Sequence, residues 1–495
     1  MNKNKDFNVE LNKDSKKNNR KDGMKKYLLI GSMLLMASCS TIKNPPLGIN
    51  YESPIRETEN AEFHYDLTYL DKDGNIQYDR NLWDATLKVV DNAKDYLVIE
   101  MFLFNDLYNK DKEHFPEFAK EYTEKLIKKQ KENPNLKVYV LADENNNFYG
   151  AFEHPFITSM KNAGINVIIV DIFKLKDTFP WYSSFWRTFI EPMGNPQNKG
   201  WITNFYGDMW PKLTVRNLLR ALNVKADHKK VFLNEKEVVV SSANIHDPSY
   251  FHENIAVYAD GPIVKDVLRD LQLVAKFSDS KIDTGSSYEK AEEVVTAVKD
   301  DKIETNKDIV NTTGVPENSV TNLEKNKITD IEGKTYKIQY LTEAAIGKYL
   351  DTDIDNLKSG DELLMGMYFL ADKGVIDRLI KAANRGVKIR IIFDRSRDAF
   401  GMSTNGLPNK PVSKKLKKKT KGKIEIKWYF TNNEQYHTKI TLMKKTDGNV
   451  IINAGSANLI KKNIRGYIMD SNFRILTTQD SKMSKDIYEY FDRLW

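Results

Sequence analysis

Two stretches of the chain repeat one order of apolar and polar positions. Leu97-Val98-Ile99-Glu100-Met101-Phe102-Leu103-Phe104 is an apolar run preceded by a segment with helical spacing, and Leu363-Leu364-Met365-Gly366-Met367-Tyr368-Phe369-Leu370 reads the same way. Short continuous apolar runs of this kind mark strands buried on both faces. Each is followed by a second apolar run that ends on aspartate, at Asp143 and at Asp394. After each Asp comes, at equal spacing, an aromatic–glycine pair, Tyr149-Gly150 and Phe400-Gly401. Strand, helix, strand, with a carboxylate at the C-terminal end, is the pattern of a βαβ unit. Chance alternation gives one such match; an ordered set means a duplication. The chain therefore predicts two α/β domains, each a mixed sheet flanked by helices, at residues 79–277 and 333–495. Between them, residues 278–332 are charged and rich in Ser, Thr and Asn, with Tyr288 as their only aromatic. That composition predicts a polar helix near Glu289–Lys299 and then a linker.

Each half also carries His-x-Lys followed by Ser-x-Asn. The first has His228-Lys229-Lys230, then Val238–Val240 leading into Ser241-Ser242-Ala243-Asn244. The second has His437-Thr438-Lys439, then Val450–Ile452 leading into Gly455-Ser456-Ala457-Asn458. Residues two apart on a strand face the same way, so His and Lys project together and the next strand delivers Ser and Asn beside them. Imidazole, ammonium, hydroxyl and amide on one surface suit a phosphate. The imidazole is a nucleophile or proton carrier, the ammonium supplies positive charge, and the neutral donors hold the non-bridging oxygens.

These paired motifs resemble the phospholipase D superfamily, whose signature is His-x-Lys-x4-Asp followed by Gly-Ser/Gly-x-Asn. The resemblance covers roughly residues 80–275 and 336–480. It implies two duplicated domains forming a pseudo-dimer with one shared active site, in which His228, Lys230, Asn244, His437, Lys439 and Asn458 meet the phosphate. It implies a phosphohistidine intermediate, with His228 the nucleophile and His437 the acid and base, and no metal or other cofactor. Ser242 and Ser456 would support the site. The family's Asp falls at Glu235 in the first half, which keeps the charge, and at Lys444 in the second, which reverses it, with Asp447 nearby. Family members also orient the imidazoles with acidic groups after the Asn; Asp470 matches such a position, and Glu253 is the looser candidate in the first half.

Charge and cysteine usage change the picture at the N-terminus. The formal charge is +7, but residues 1–38 hold nine Lys and Arg against four Asp and Glu, so about +2 remains beyond them. That near-neutral balance argues against nucleic acid as a partner. Met24-Lys25-Lys26 opens a basic region, Tyr27–Met36 is apolar but too short to span a bilayer, and Met36-Ala37-Ser38-Cys39 closes it. The segment 24–38 resembles a bacterial lipoprotein signal, which implies acylation of Cys39 and a lipid-anchored protein on the extracytoplasmic face of the cell membrane. Cys39 is the only cysteine, so no internal disulfide forms. Residues 1–23 read as a disordered tail or as sequence upstream of the true start, and 39–78 as a tether.

Clues to the substrate are fewer. His228 follows Asp143 by 85 positions, whereas His437 follows Asp394 by 43. The first half thus carries an insertion, at about 172–215, rich in Trp, Tyr and Phe. It reads as a lid or membrane-docking element, or as an ordinary apolar subdomain. Lys410–Lys423 is a lysine run, more often a solvated helix face than a binding surface. His114, His154, His246 and His252 fit no partner pattern. Asp260-Gly261-Pro262 resembles a stretch of cardiolipin synthases. Together with the anchor, this favours membrane phospholipid as the substrate, cleaved or transferred by a single chain. A surface nuclease, or a catalytically impaired phosphate- or lipid-binding protein, are the competing readings.

Overall fold

The computed structural model describes residues 40–285 and 336–495, apart from positions 396, 397, 400, 401, 404, 431 and 433. Residues 1–23, the expected signal 24–38, Cys39, the Glu289–Lys299 segment with most of the linker, and Phe400-Gly401 lie outside the described residues.

The duplication is visible strand for strand. One eight-stranded sheet runs Ile76–Arg80, Ala61–Leu70, Asn254–Asp260, Glu237–Ser241, Lys230–Asn234, Tyr96–Met101, Lys137–Ala142, Asn166–Ile169. The other runs Arg56–Thr58, Tyr336–Thr342, Ser471–Thr478, Asn449–Gly455, Lys439–Lys444, Glu362–Met367, Lys388–Phe393, Ile424–Trp428. In both, the first five pairings are antiparallel and the last two parallel. The register repeats as well: Met101 lies opposite Lys230, and Met367 opposite Lys439. The first half begins earlier than the expected boundary at 79. Ala61–Leu70, expected within the tether, is the counterpart of Tyr336–Thr342, and Arg56–Thr58 crosses over to edge the second sheet.

Alternating side chains sort into layers, as strands buried on both faces require. Val231, Leu233, Val238 and Val240 face a central core, which they share with Ile440, Leu442, Val450 and Ile452 of the second sheet. Phe232 and Val239 point the other way, under the helices Leu82–Asn92 and Phe118–Glu132. Met443 and Ile451 likewise meet Glu343–Asp355 and Lys373–Asn384. The two sheets thus pack face to face through one apolar core. Between them lie Ile263–Phe277 and Lys482–Leu494, each following the equivalent strand of its half.

The halves are also joined by polar contacts. Lys229, the middle residue of the first His-x-Lys, is fully buried and reaches Asp270 at 2.6 Å and Glu343 of the other half at 3.6 Å. Tyr340 donates to the same Asp270 carboxylate at 2.9 Å. Among the described residues no helix is long and apolar enough to cross a membrane.

Candidate active site

The two His-x-Lys segments enter the site in the same way. A carboxylate at the end of the third core strand clamps the backbone just before each histidine. Asp143 accepts from Asp227 N at 2.7 Å, and Asp394 from Tyr436 N at 2.8 Å. Each segment is then braced against the opposite half. Asp227 bridges to Met469 in parallel, with His228 N donating to Met469 O at 2.8 Å. Tyr436 bridges to Glu253, with Glu253 N donating to Gln435 O at 2.8 Å.

One residue further along, each imidazole meets a side chain of the other half. His228 Nδ1 lies 2.7 Å from Asp470 Oδ1, and the Asp470 side chain is fully buried. Asp470 also accepts from Ser456 Oγ at 2.8 Å and Asn463 Nδ2 at 2.7 Å, so it is held from three sides. His437 Nδ1 lies 3.0 Å from Asn254 Oδ1. The Asn254 amide is oriented by its Nδ2, which donates to His252 O at 3.1 Å, and by Ser242 Oγ, which donates to Oδ1 at 3.0 Å. Both rings therefore engage a partner through Nδ1 and keep Nε2 for a ligand.

This corrects the expectation for Glu253. Its carboxylate accepts from Thr68 N at 2.6 Å and does not reach His437. Neighbouring residues on a strand point to opposite faces, so the residue beside the ring is Asn254. Ser456 pairs with Asp470 as Ser242 pairs with Asn254, but at separations of 14 and 12 residues, so the repeat does not mark Asn254 by spacing. The two serines are thus engaged with the imidazole partners rather than turned to a phosphate.

The lysines complete the constellation. Lys230 Nζ donates to His228 O at 2.6 Å, and Lys439 Nζ to His437 O at 2.7 Å. Each ammonium sits about 5 Å over an aromatic ring, Phe102 and Tyr368 respectively, and the same rings flank the imidazoles at 4.9 Å. Phe102 and Tyr368 occupy matching places in the repeat, a pairing visible in the two apolar runs. Asn244 Oδ1 accepts from Leu103 N at 3.3 Å, whereas Asn458 Oδ1 meets no partner among the described residues.

Burial makes positive charge costly here. It holds His228 down to about 4, with Lys230 adding to the effect and Asp470 opposing it. His437 is pushed well below the usual imidazole value by burial and by Lys439 and Lys230, with no carboxylate to offset them. Lys230 is lowered to about 7 by burial, and Lys439 is pushed well down by burial and by Lys230. Four basic groups gathered in a buried setting make a cluster whose positive charge an anion would stabilise. Among the described residues, no group of three or more His, Cys, Asp or Glu is placed to hold a metal ion.

Glu235 and Lys444 lie away from this centre. Lys444 is five residues along its strand from Lys439, about 16 Å at the usual rise. Glu235 accepts from Lys94 N at 3.3 Å and Asp95 N at 3.4 Å, tying the hairpin to the start of Tyr96–Met101. In the second half the carboxylate comes from the other side: Asp361 accepts from Thr446 N at 2.9 Å, while Lys444 faces Glu362 at 3.5 Å. The charge reversal at Lys444 is therefore matched locally, far from the imidazoles. Asp447 caps its own turn, accepting from Asn449 N. Of the remaining histidines, His252 accepts from Gln435 N through Nδ1 and lies 6.3 Å from the His437 ring, and His154 pairs with Asp106.

Comparison with known proteins agrees with this architecture. The family described as cardiolipin synthase, PLD-like domain, matches residues 354–495. Among curated proteins nothing matches the chain. The fold is similar to that of phosphatidylserine synthase from Haemophilus influenzae Rd KW20, with a TM-score of 0.50 and 12% identity over 83% of each chain. Nuc from Salmonella typhimurium, a phospholipase D family member, aligns over 32% of this chain and 94% of its own, with 17% identity and a TM-score of 0.25. Yeast tyrosyl-DNA phosphodiesterase aligns over 86% of this chain and 91% of its own, with 9% identity and a TM-score of 0.37. The second half thus matches a phospholipase D-like domain, and the first half is built on the same eight-strand plan.

Proposed function

We propose that this chain is a phospholipase D-type phosphodiesterase or phosphatidyltransferase acting on membrane phospholipid. The observation that carries the reading is the cross-bracing of two imidazoles, each held by a residue of the opposite half, around two buried lysines. In the proposed reaction His228 Nε2 attacks phosphorus while the bond to the headgroup oxygen breaks. His437, protonated, gives its proton to that leaving oxygen. His437 then takes a proton from water or an alcohol, which attacks the phosphohistidine and frees His228. Lys230, Lys439, Asn244 and Asn458 hold the non-bridging oxygens.

The division of labour follows from the partners of the rings. N-phosphorylation leaves the attacking imidazole cationic, so the nucleophile gains most from a carboxylate, and His228 has Asp470. A leaving-group acid gains from a lower proton affinity, and His437 has only the neutral Asn254. The substrate's own negative charge supplies the field that holds the proton on His437.

Phospholipid is favoured by the match to a cardiolipin synthase-like domain, by the likeness to a phosphatidylserine synthase, and by the lipoprotein-type signal ending at Cys39. In this reading Cys39 is acylated, the protein is anchored on the extracytoplasmic face of the cell membrane, and one chain suffices for activity. Incubation of the purified protein with headgroup-labelled phospholipids and with DNA tests it. Headgroup release that is lost in His228→Ala, and not restored by mixing with His437→Ala, is expected. Cleavage of DNA alone would establish the nuclease reading instead.

A further inference from the structure

We infer that the aromatic insertion of the first half is a bilayer-docking face, seated in the interfacial region of the membrane that carries the substrate. The helix opening at Pro180 divides its aromatic residues by spacing. Tyr182 and Trp186, four apart, turn inward: Tyr182 donates to Leu219 O at 2.6 Å, and Trp186 is buried against Phe173 at 5.0 Å. Trp181 and Phe185, also four apart, turn outward and are 76% and 45% exposed. The loop that follows carries two more exposed aromatics, Trp201 and Phe205, 71% and 70% exposed. An element anchored by buried aromatics yet presenting two tryptophans to solvent is not an ordinary subdomain surface. Exposed Trp and Phe with a lysine rim suit the headgroup–acyl boundary, and Lys43, Lys199 and Lys212 are exposed here.

The path of the N-terminal chain identifies the occupant. The first described residues are fastened onto this same helix. Ser40 Oγ contacts Ser184 O and Thr188 Oγ1, each at 3.1 Å, and Thr41 Oγ1 contacts Ser184 Oγ at 2.6 Å. Ile42 N donates to the buried Asp177 carboxylate at 2.8 Å, and Arg187 donates to Ser40 O. Cys39 is the residue before Ser40 in the sequence. A lipid on Cys39 therefore enters the bilayer beside Trp181 and Phe185. The face also adjoins the catalytic centre. Lys462 lies 5.2 Å over the Phe179 ring, and its neighbour Asn463 holds Asp470, the partner of His228. A membrane touching the insertion thus lies against the segment that supports the nucleophile.

The inference rests on the proposed function for the identity of the substrate and for the acylation of Cys39. The full chain, reconstituted into phosphatidylcholine–phosphatidylglycerol vesicles, is compared on brominated and ordinary acyl chains by tryptophan emission. Bromolipid is expected to quench the wild type, and Trp181→Phe to lose about half of that quenching or more. In parallel, Trp181→Ser/Phe185→Ser is expected to cut turnover of vesicle phospholipid at least about tenfold. Turnover of a short-chain phospholipid below its micellar concentration should change less than about twofold. Equal quenching in wild type and Trp181→Phe, or an equal loss on both substrates, would overturn the docking face. Quenching at Trp181 without turnover of either phospholipid would sink the substrate assignment and leave the docking face standing.

Discussion

Asp470→Asn isolates the charge that the proposed mechanism places behind His228. The substitution preserves shape, and the new amide can still accept from the imidazole at the 2.7 Å site. Because Asn463 now donates to Asp470 Oδ2 at 2.7 Å, its amide must flip to receive the new NH2, which it can do without moving the backbone. What is lost is the attraction between a carboxylate and the cationic ring formed on attack. Two unit charges about 4 Å apart interact by about 4 kcal/mol at an effective dielectric of about 20. The retained neutral hydrogen bond returns about 1 kcal/mol of this. A net loss of about 3 kcal/mol in the transition state lowers the rate by about 10²-fold. The assay is single-turnover release of labelled headgroup, with burst size recorded separately from the rate. The variant should show a slowed burst of unchanged amplitude. The protein holds its own comparison, because Asn254 already occupies the matching position against His437. A rate within threefold of wild type would refute the assignment of the carboxylate to the nucleophile.

Other consequences are open to direct measurement. Lys444→Asp restores the family's acid but acts about 16 Å from Lys439, so headgroup release should change less than about threefold; a tenfold gain would mean that the reversal does impair the site. Lys229→Met strips the partner from a fully buried Asp270 at 2.6 Å and should destabilise the protein by about 3–5 kcal/mol in denaturant unfolding, with Lys229→Met/Asp270→Leu recovering part of it. Tungstate binding should take up protons at pH 8, because burial lowers Lys230 to about 7 and an anion raises it. Affinity then falls as pH rises above 7, by up to about tenfold per unit for this group; calorimetry showing no proton uptake across buffers of different ionisation enthalpy would count against the depressed lysines.

Much of the fold was legible because strands buried on both faces leave continuous apolar runs, and the duplication supplied each run twice. The Asp143 and Asp394 ends, the two His-x-Lys segments and the Asn residues all came from repetition. Less legible were features set by contacts between halves. Ala61–Leu70, expected as part of the tether, is a sheet strand between two neighbours, and its alternation of apolar and polar residues is the signal that could have shown it. Glu253 is the acidic candidate by resemblance, and only the contact of His437 with Asn254 reveals which residue faces the ring. Lys229 looked like a spacer between His228 and Lys230, yet it is buried at the joint with the second half. Lys444 looked damaging because the motif records identity at a position, not its distance from the phosphate.

The central claim is that two half-sites form one phosphodiester-cleaving centre with His228 as its nucleophile. Rapid alkaline denaturing quench of His437→Ala with a phosphorus-labelled phosphatidyl ester of p-nitrophenol, whose leaving oxygen needs no acid, followed by peptide mapping at alkaline pH, tests it most directly. The account predicts about one labelled phosphoryl group per chain, on the peptide containing His228, persisting because the acid and base needed for release is missing. Label on another residue, or no label from an enzyme that still turns over, would contradict it.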